Sequence, residues 1–175
     1  MTEPIGVPPD TRDWTFVITE GCEECGFAPQ DPELTGQRLR ATIPTWHKRL
    51  AAATASERPA PTVWSAVEYG CHVRDTCRLF RQRLELMLGE VNPEFPNWDQ
   101  DATAVEEGYF DQDPTDVAQV LGREAEATAA AFDAVKPDQW SRPGRRSNGS
   151  TFTVRTFAVY FLHDVEHHVH GVAPD

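Results

Sequence analysis

The sequence predicts an all-α protein, a four-helix bundle with an extended N-terminal segment and a long ordered loop between the second and third helices. Three observations predict this fold. Four segments carry apolar residues at three- and four-residue spacing, two of them begin with an Asp-Pro pair, and no run has the pattern of a parallel sheet. At 175 residues, with 39% hydrophobic and 25% charged residues, the chain fits one domain over residues 1–175.

The N-terminal segment, residues 1–30, contains WTFVITE, whose alternation predicts a short strand or strap. The next stretch, GCEECGF, places Cys22 and Cys25 at knuckle spacing, but a structural zinc site needs four ligands and no second CxxC follows. Three interpretations therefore stay open: a structural turn, a redox or disulfide pair, and a metal site completed by distant residues. Cys71 and Cys77 are interpreted as small core residues of a helix.

The first two helices have recognisable start signals. Asp31 is the predicted cap of the first helix, with Pro32 at its first position. Thr62 is the predicted cap of the second helix, which runs to about Gly89. The apolar residues that recur at helical spacing are Leu39, Ile43, Trp46 and Leu50 in the first helix, and Tyr69, Val73, Phe80, Leu84 and Met87 in the second.

The second half of the chain begins with EVNPEFPNWDQDATAVEEGYFDQD, which we interpret as the long ordered loop. Asp113 and Pro114 repeat the Asp-Pro start signal for the third helix. The stretch KPDQWSRPGRRSNGS is a predicted turn. The fourth helix is predicted to run from about Phe152 to His170, with apolar residues at helical spacing.

The charge balance limits the class of partner. Against 16 basic residues the chain has 28 acidic ones, a formal charge of -12 that disfavours nucleic acid and anionic membranes. No stretch reaches the ~20 apolar residues of a membrane span, and MTEPIGVPPDTRDW lacks the pattern of a secretory signal. We therefore expect a cytoplasmic location and a small-molecule substrate.

The end of the fourth helix concentrates four of the six histidines in HDVEHHVH. His163 and His167 lie one helical turn apart on the same face, the spacing at which two imidazoles can hold one ion. Asp164 and His168 have the same spacing, so spacing alone does not fix the register. We prefer the first pair, because His163 lies near the edge of the buried face. His168 and His170 are interpreted as helix-end residues that the helix dipole favours.

A metal site needs at least a third ligand from elsewhere in the chain. His72 is the better candidate because it lies in the middle of the second helix, with apolar neighbours. His47 lies among basic residues in WHKRL, where a solvated side chain is the simpler interpretation.

Several segments together resemble a known family, the DinB-like (DinB/YfiT) four-helix-bundle metalloproteins, in particular their actinobacterial branch. The segments that carry the resemblance are DWTFVITEGCEECGF, VWSAVEYGCHVRDTCRLFRQRLELML, NWDQDATAVEEGYFDQDP and FTVRTFAVYFLHDVEHHVHGV. The resemblance covers nearly the whole chain. It implies a divalent metal, zinc or nickel, on His72, His163 and His167, which favours the first of the two pairs.

The resemblance also implies a class of chemistry. Several relatives act with low-molecular-weight thiols, and the mycothiol-dependent maleylpyruvate isomerase has the same bundle. That enzyme has a Glu/His pair where this chain has His163 and His167, so its isomerase activity is not implied. We expect instead a metal-dependent transfer of a mycothiol-like thiol to an electrophilic small molecule. The alternatives are a metal-dependent hydrolase and a non-catalytic metal-binding or stress-response bundle, with a homodimer through an exposed helix face.

Candidate helper residues lie near the expected ligands. Asp75 and Asp164 are the candidate catalytic carboxylates, since each lies beside an expected ligand and can orient it through a hydrogen bond. Trp98 is a candidate for the mouth of a pocket. Arg145 and Arg146, in the basic stretch RPGRR, are candidates for binding substrate carboxylates.

Overall fold

The computed structural model describes residues 6–172; the first five residues of the predicted N-terminal segment lie outside this range. The described part contains six α-helices and three short strands. The helices are α1 (Val17–Glu20), α2 (Thr35–Leu50), α3 (Ala66–Gly89), α4 (Gln100–Glu106), α5 (Pro114–Asp133) and α6 (Val154–Val172). The strands are β1 (Glu94–Phe95), β2 (Pro143–Arg146) and β3 (Thr151–Thr153), and short 3-10 helices lie at Trp14–Phe16, Pro32–Leu34 and Tyr109–Asp111.

The four long helices form the predicted bundle: α2 and α3 each pack against both α5 and α6. An aromatic cluster fills the space between them. The ring of Phe80 lies 4.7 Å from that of Phe157 and 5.2 Å from that of Phe161, which stacks on Phe132 at 5.5 Å. Cys71 and Cys77 are fully buried in this core, as predicted. Burial of apolar surface between the helices is the main force that holds them together.

Two of the three predicted helix caps are confirmed. The Asp31 side chain accepts a hydrogen bond from the backbone of Glu33, and Asp113 caps α5. The predicted cap of the second long helix was wrong: α3 begins after Ser65, not at Thr62. Ser65 forms a reciprocal capping box with Glu68, which satisfies two backbone N–H groups at once and so fixes the start there.

The predicted strand in WTFVITE is helical in the structure. Asp13 caps the 3-10 helix Trp14–Phe16 through a 3.0 Å hydrogen bond from Thr15, and α1 follows directly and ends at Gly21, with φ of 76°. Val17 is buried against α6. A helix suits this position because it satisfies its own backbone hydrogen bonds, whereas a strand lying on a helix would have no pairing partner.

The predicted long loop between α3 and α5 contains α4, capped by Asp99, and strand β1. This strand pairs in parallel with β2, which pairs antiparallel with β3. The fold is therefore mostly helical with a small sheet, rather than all-α. The sheet was not predicted because its strands are two to four residues long, too short to show an alternating pattern, and β1 pairs with a segment about fifty residues later.

Within residues 6–172, no helix combines the length and the apolar character that crossing a membrane requires.

Candidate metal centres

Helix α6 carries two pairs of potential metal ligands, and the second pair is offset from the first by one residue. His163 and His167 form one pair, and Asp164 and His168 form the other, each pair spanning one turn. Because consecutive residues of an α-helix are rotated by about 100°, the two pairs face different directions. Each pair meets side chains from another part of the chain, so the residues fall into two groups.

The first group joins His72 of α3 to Asp164 and His168 of α6, with one ligand atom from each residue lying within 4.8 Å of the others. We call it the His-Asp-His group. The Nε2 atom of His72 lies 3.4 Å from Oδ2 of Asp164, and the Nε2 atom of His168 lies 3.5 Å from Oδ1. The Asp164 carboxylate thus lies between the two imidazoles.

These separations suit ligands of a common ion. Zinc bonds to nitrogen and oxygen are about 2.0–2.1 Å, so tetrahedral geometry places two ligand atoms about 3.4 Å apart. The Oδ2 atom of Asp164 is buried and has no hydrogen-bond partner among the described residues. Nε2 of His72, 3.4 Å away, makes no aligned hydrogen bond to it. A buried carboxylate oxygen without an aligned donor is costly, and a cation would satisfy it. The residues therefore fit a divalent metal.

The Asp164 carboxyl is held in its ionised form. Burial by itself raises its pKa, but the nearby rings of His168 and His72 outweigh this effect and hold the pKa well below its ordinary value. Its side chain is 31% exposed, which leaves one side of the group open. An ionised carboxylate with an open side can bind a cation without first losing a proton.

Aromatic side chains fix the orientation of His72. Trp98 stacks on its ring with centroids 5.4 Å apart and planes only 5° from parallel, and Trp64 lies 5.7 Å away at a tilt. The second ring nitrogen of His72, Nδ1, is buried and has no hydrogen-bond partner in the described range. Stacking, together with Thr76 Oγ1 at 3.4 Å from Nε2, therefore holds this imidazole in place, without a hydrogen bond to the outer nitrogen.

The second group joins Cys22 and Cys25 of the N-terminal segment to His163 and His167, again with ligand atoms within 4.8 Å of one another. We call it the Cys2His2 group. The Sγ atom of Cys22 lies 3.8 Å from Nδ1 of His167. Cys22 and His163 are almost fully buried, at 5% and 3% exposure, and the Nε2 atom of His163 has no hydrogen-bond partner among the described residues.

A tight turn brings the two cysteines together. The backbone of Cys22 donates to the carbonyl of Phe27 at 2.8 Å and closes a small loop. Gly21 and Gly26 both have positive φ, which other residues rarely adopt, and a Cβ at Gly21 would lie 2.5 Å from the Phe27 carbonyl oxygen. Cys22 and Phe27 pack on α6 in a small apolar cluster, which fixes the turn beside the histidines.

Burial sets the protonation of the Cys2His2 group. It lowers the pKa of His163 to about 4, helped by His167 nearby, so this imidazole is neutral at neutral pH. Burial raises the pKa of the Cys25 thiol to about 11, although the backbone N–H groups of Phe27 and of Cys25 itself oppose the increase. The histidines are thus ready to bind a metal, and the thiols must lose protons to do so.

A cavity of about 670 Å³ opens beside both groups. Its walls come from the N-terminal segment, the start of α4, the β2–β3 turn and α6. The lining residues include Asp164 and His168 of the first group and both histidines of the second, but neither cysteine. Other residues of the cavity wall include Arg12, Trp14, Trp98, Asp101, Arg146 and Tyr160.

The structure divides the expected triad of His72, His163 and His167 between the two groups. His72 meets Asp164 and His168 instead, because the face of α6 that carries those two residues is the one turned toward α3. The ligand identities stay a prediction. His168, interpreted from the sequence as a helix-end residue, and Asp164, considered there as a helper, are the residues that lie beside His72. The signal for them was their one-turn spacing.

The remaining candidates have different surroundings. Trp98 and Arg146 line the cavity. Asp75 instead accepts hydrogen bonds from Arg74 at 2.8 Å and from the Tyr109 hydroxyl at 2.5 Å, and it is not a lining residue. Arg145, on the central strand β2, pairs with the exposed Glu94 of the neighbouring strand β1 and does not line the cavity either.

Two comparisons with known proteins place this arrangement in context. Residues 35–171 match the family model described as the DinB superfamily. The solved structure of YfiT from Bacillus subtilis, described as a probable metal-dependent hydrolase with an unusual four-helix bundle topology, is similar, with a TM-score of 0.69 and 17% identity. The match covers 79% of this chain and 82% of that one, and at this identity it shows a shared fold alone. None of the curated proteins compared with the chain matches it.

Proposed function

The chain belongs to the DinB superfamily, and we propose that it is a metal-dependent enzyme that hydrolyses a small polar molecule. The observation that carries the proposal is the His-Asp-His group: three potential ligands from two helices, of which Asp164 and His168 line a cavity and His72 lies buried behind them. Three protein ligands with an open position are typical of catalytic zinc sites, whereas structural sites are closed by four. The description of YfiT as a probable metal-dependent hydrolase supports the same reaction class.

The chemistry of the three ligands suits zinc or nickel. Two imidazole nitrogens and one carboxylate oxygen are ligands that both ions accept, and one carboxylate leaves a net charge of +1 on a divalent ion. Held there, the ion would supply Lewis acidity, which lowers the pKa of a water or thiol and polarises the bond to be broken.

Asp101 is our candidate for the proton acceptor. It lines the same cavity, and burial together with the nearby Asp99 raises the pKa of its carboxyl above the ordinary value. A carboxylate with a raised pKa is a stronger base than a solvated one. We propose that Asp101 takes the proton from the attacking water and later passes it to the leaving group.

Arg146 is our candidate for binding an anionic part of the substrate. Its guanidinium is held by Ser150 Oγ at 3.1 Å and Asn148 Oδ1 at 3.0 Å, and it lies 3.4 Å from the Tyr160 hydroxyl. These contacts fix a planar group of hydrogen-bond donors in the cavity wall. Such a group favours a carboxylate or phosphate.

Thiol transfer is the second candidate, and the size of the cavity favours it. About 670 Å³ is enough for a low-molecular-weight thiol, such as one of the mycothiol type, together with a small electrophile. In this reaction the thiol would replace water as the nucleophile, and Asp101 would take the thiol proton. Such thiols are kept reduced in the cytoplasm, where we propose that the protein acts.

The test is a turnover assay on zinc-loaded and nickel-loaded protein. The substrates are carboxylic esters, amides and phosphoesters in one arm, and an electrophile with a low-molecular-weight thiol in the other. We expect His72→Ala and Asp101→Asn to lose at least about 100-fold in kcat/KM, and His170→Ala, an exposed control near the end of α6, to keep it. Metal binding without turnover in either arm would favour the non-catalytic alternative, and a wild type that binds no metal would overturn the proposal.

A further inference from the structure

The Cys2His2 group has a different ligand chemistry from the His-Asp-His group. We propose that Cys22, Cys25, His163 and His167 form a second, structural zinc site, which attaches the N-terminal segment to α6. The group uses none of the three residues assigned to the first site. The inference therefore does not depend on the proposed function.

The geometry fits a tetrahedral ion. A zinc–sulfur bond of about 2.3 Å and a zinc–nitrogen bond of about 2.0–2.1 Å place the two ligand atoms about 3.6 Å apart. Cys22 Sγ and His167 Nδ1 are 3.8 Å apart, and all four ligand atoms lie within 4.8 Å of one another. The separations thus need only small adjustments to surround one ion.

The buried position of the group leaves a polar atom without a partner. His163 is only 3% exposed, and its Nε2 atom has no hydrogen-bond partner among the described residues. A buried polar nitrogen without a partner destabilises a fold. An ion at this point would satisfy it, and it would also satisfy the Cys22 sulfur, which is buried in an apolar cluster.

The charges of the ligands suit a buried ion. Two thiolates and two neutral imidazoles cancel the 2+ charge of zinc, so the complex as a whole is neutral. Each thiol gives its proton to the solvent as its sulfur–zinc bond forms, and no residue is oxidised or reduced. A neutral complex can be buried at far less cost than a charged one.

Aromatic rings enclose the group. Trp14 lies against both histidine rings, with centroids 5.3 Å from His163 and 5.1 Å from His167, and Phe27 meets His163 edge-on at 5.3 Å. Four protein ligands with aromatic cover leave no open position for a substrate. This is the arrangement of a structural site rather than a catalytic one.

The position of the group indicates what a bound ion would stabilise. The N-terminal segment contributes Asp10, Arg12 and Trp14 to the cavity wall. Its turn with Cys22 and Cys25 lies directly after α1. An ion bound to the cysteine turn and to α6 would hold that wall against the bundle. Loss of the ion should therefore loosen residues 6–20 while the four long helices stay folded.

The experiment is a metal titration of the full-length reduced protein, measured with zinc by mass spectrometry and with cobalt by absorption. We expect Cys22→Ser/Cys25→Ser to bind one equivalent fewer than the wild type, which binds two when the His-Asp-His group is also occupied. Cobalt bound by thiolates has a strong charge-transfer band in the near ultraviolet. We expect this band in the wild type and in His72→Ala, and its absence from the double serine variant.

Cys77→Ala is the matched control, because Cys77 is a buried cysteine outside both groups; it should keep both equivalents and the band. If the double variant fails to fold, His167→Ala, at a partly exposed position, replaces it. Because both thiolates remain in this variant, we expect weaker zinc and cobalt binding at the Cys2His2 group rather than loss of the band. A wild type without a thiolate band, or with a Cys22–Cys25 disulfide in place of zinc, would overturn the inference. If the band persists while His72→Ala changes neither the metal content nor the turnover, the proposed function is wrong and the structural zinc site stands.

Discussion

His167 and His168 are consecutive residues whose rings lie 5.8 Å apart, nearly perpendicular, and they face different partners. His167 faces the sulfur of Cys22, and His168 faces the carboxylate of Asp164. A single helix therefore contributes to two groups with different ligand chemistry. Because the two groups share no residue, substitutions can separate their effects.

Asp164→Ala should weaken metal binding at the His-Asp-His group by at least about 100-fold, because it removes the carboxylate between the two imidazoles. Isothermal titration with zinc measures the change. The thiolate-cobalt band should persist, since Asp164 is not part of the Cys2His2 group. Loss of the band together with the weaker site would show that the two groups are not independent.

Trp98→Ala should weaken metal binding by about 10-fold, because it frees the ring of His72, whose Nδ1 has no hydrogen-bond partner in the described range. Trp98→Phe keeps an aromatic ring at this position and should change the affinity by less than about 3-fold. A competition titration against a chromogenic chelator measures both variants. Equal affinities for the alanine and phenylalanine variants would contradict the role given to stacking.

Glu124 should make the stability of the bundle depend on pH. Burial raises its pKa, but hydrogen bonds from Arg81 and Arg78 of α3 outweigh this and leave the pKa below the ordinary value of 4.5. A lowered folded-state pKa gives a contribution that is present above pH 4.5 and lost as the pH falls through the folded-state pKa.

The measurement for Glu124 is urea unfolding of the wild type and of Glu124→Gln across pH. At neutral pH we expect the variant to be less stable by about 1–2 kcal/mol, since it loses two partly buried ion pairs. The difference should shrink as the pH falls below 4.5, the ordinary pKa of this carboxyl. A difference that stays constant as the pH falls well below that value would contradict the assignment.

Gly36→Ala should destabilise the protein by about 1–3 kcal/mol, because α2 lies very close to α5 at this point. A Cβ at Gly36 would lie 2.8 Å from the backbone oxygen of Ala129, which cannot move without α5. Gly89→Ala is the control, since a Cβ there meets nothing within 4 Å. Thermal unfolding should show a lower Tm for the first variant, and an unchanged or higher Tm for the second.

The helices were predictable because their signals are local. Asp31 with Pro32 and Asp113 with Pro114 mark helix starts, and apolar spacing follows within one or two turns. The start of α3 was missed because Thr62 and Ser65 can both cap a helix. Only Ser65 has Glu68 three residues later to complete the box, a signal that the sequence did contain.

Which residues make up the two candidate metal centres depends on contacts between distant parts of the chain, and local sequence patterns do not show such contacts. Spacing identifies His163 with His167 and Asp164 with His168 equally well, and the choice of partners depends on how α6 is rotated against α3. The meeting of the CxxC turn with α6 joins residues about 140 positions apart. One signal was available: each motif alone, CxxC and HxxxH, supplies two of the four ligands that a structural zinc site needs.

The distance along the chain between Cys22 and His167 has a thermodynamic consequence. The two residues are 145 positions apart, and all four bundle helices lie between them or carry one of them. An ion that remains bound to both acts as a cross-link, which closes nearly the whole protein into a ring and lowers the entropy of the unfolded chain. The chain-entropy estimate for a loop of this length is on the order of 5 kcal/mol. This contribution lasts only as long as the ion stays on both residues in the unfolded chain, and a chelator that removes the ion removes it.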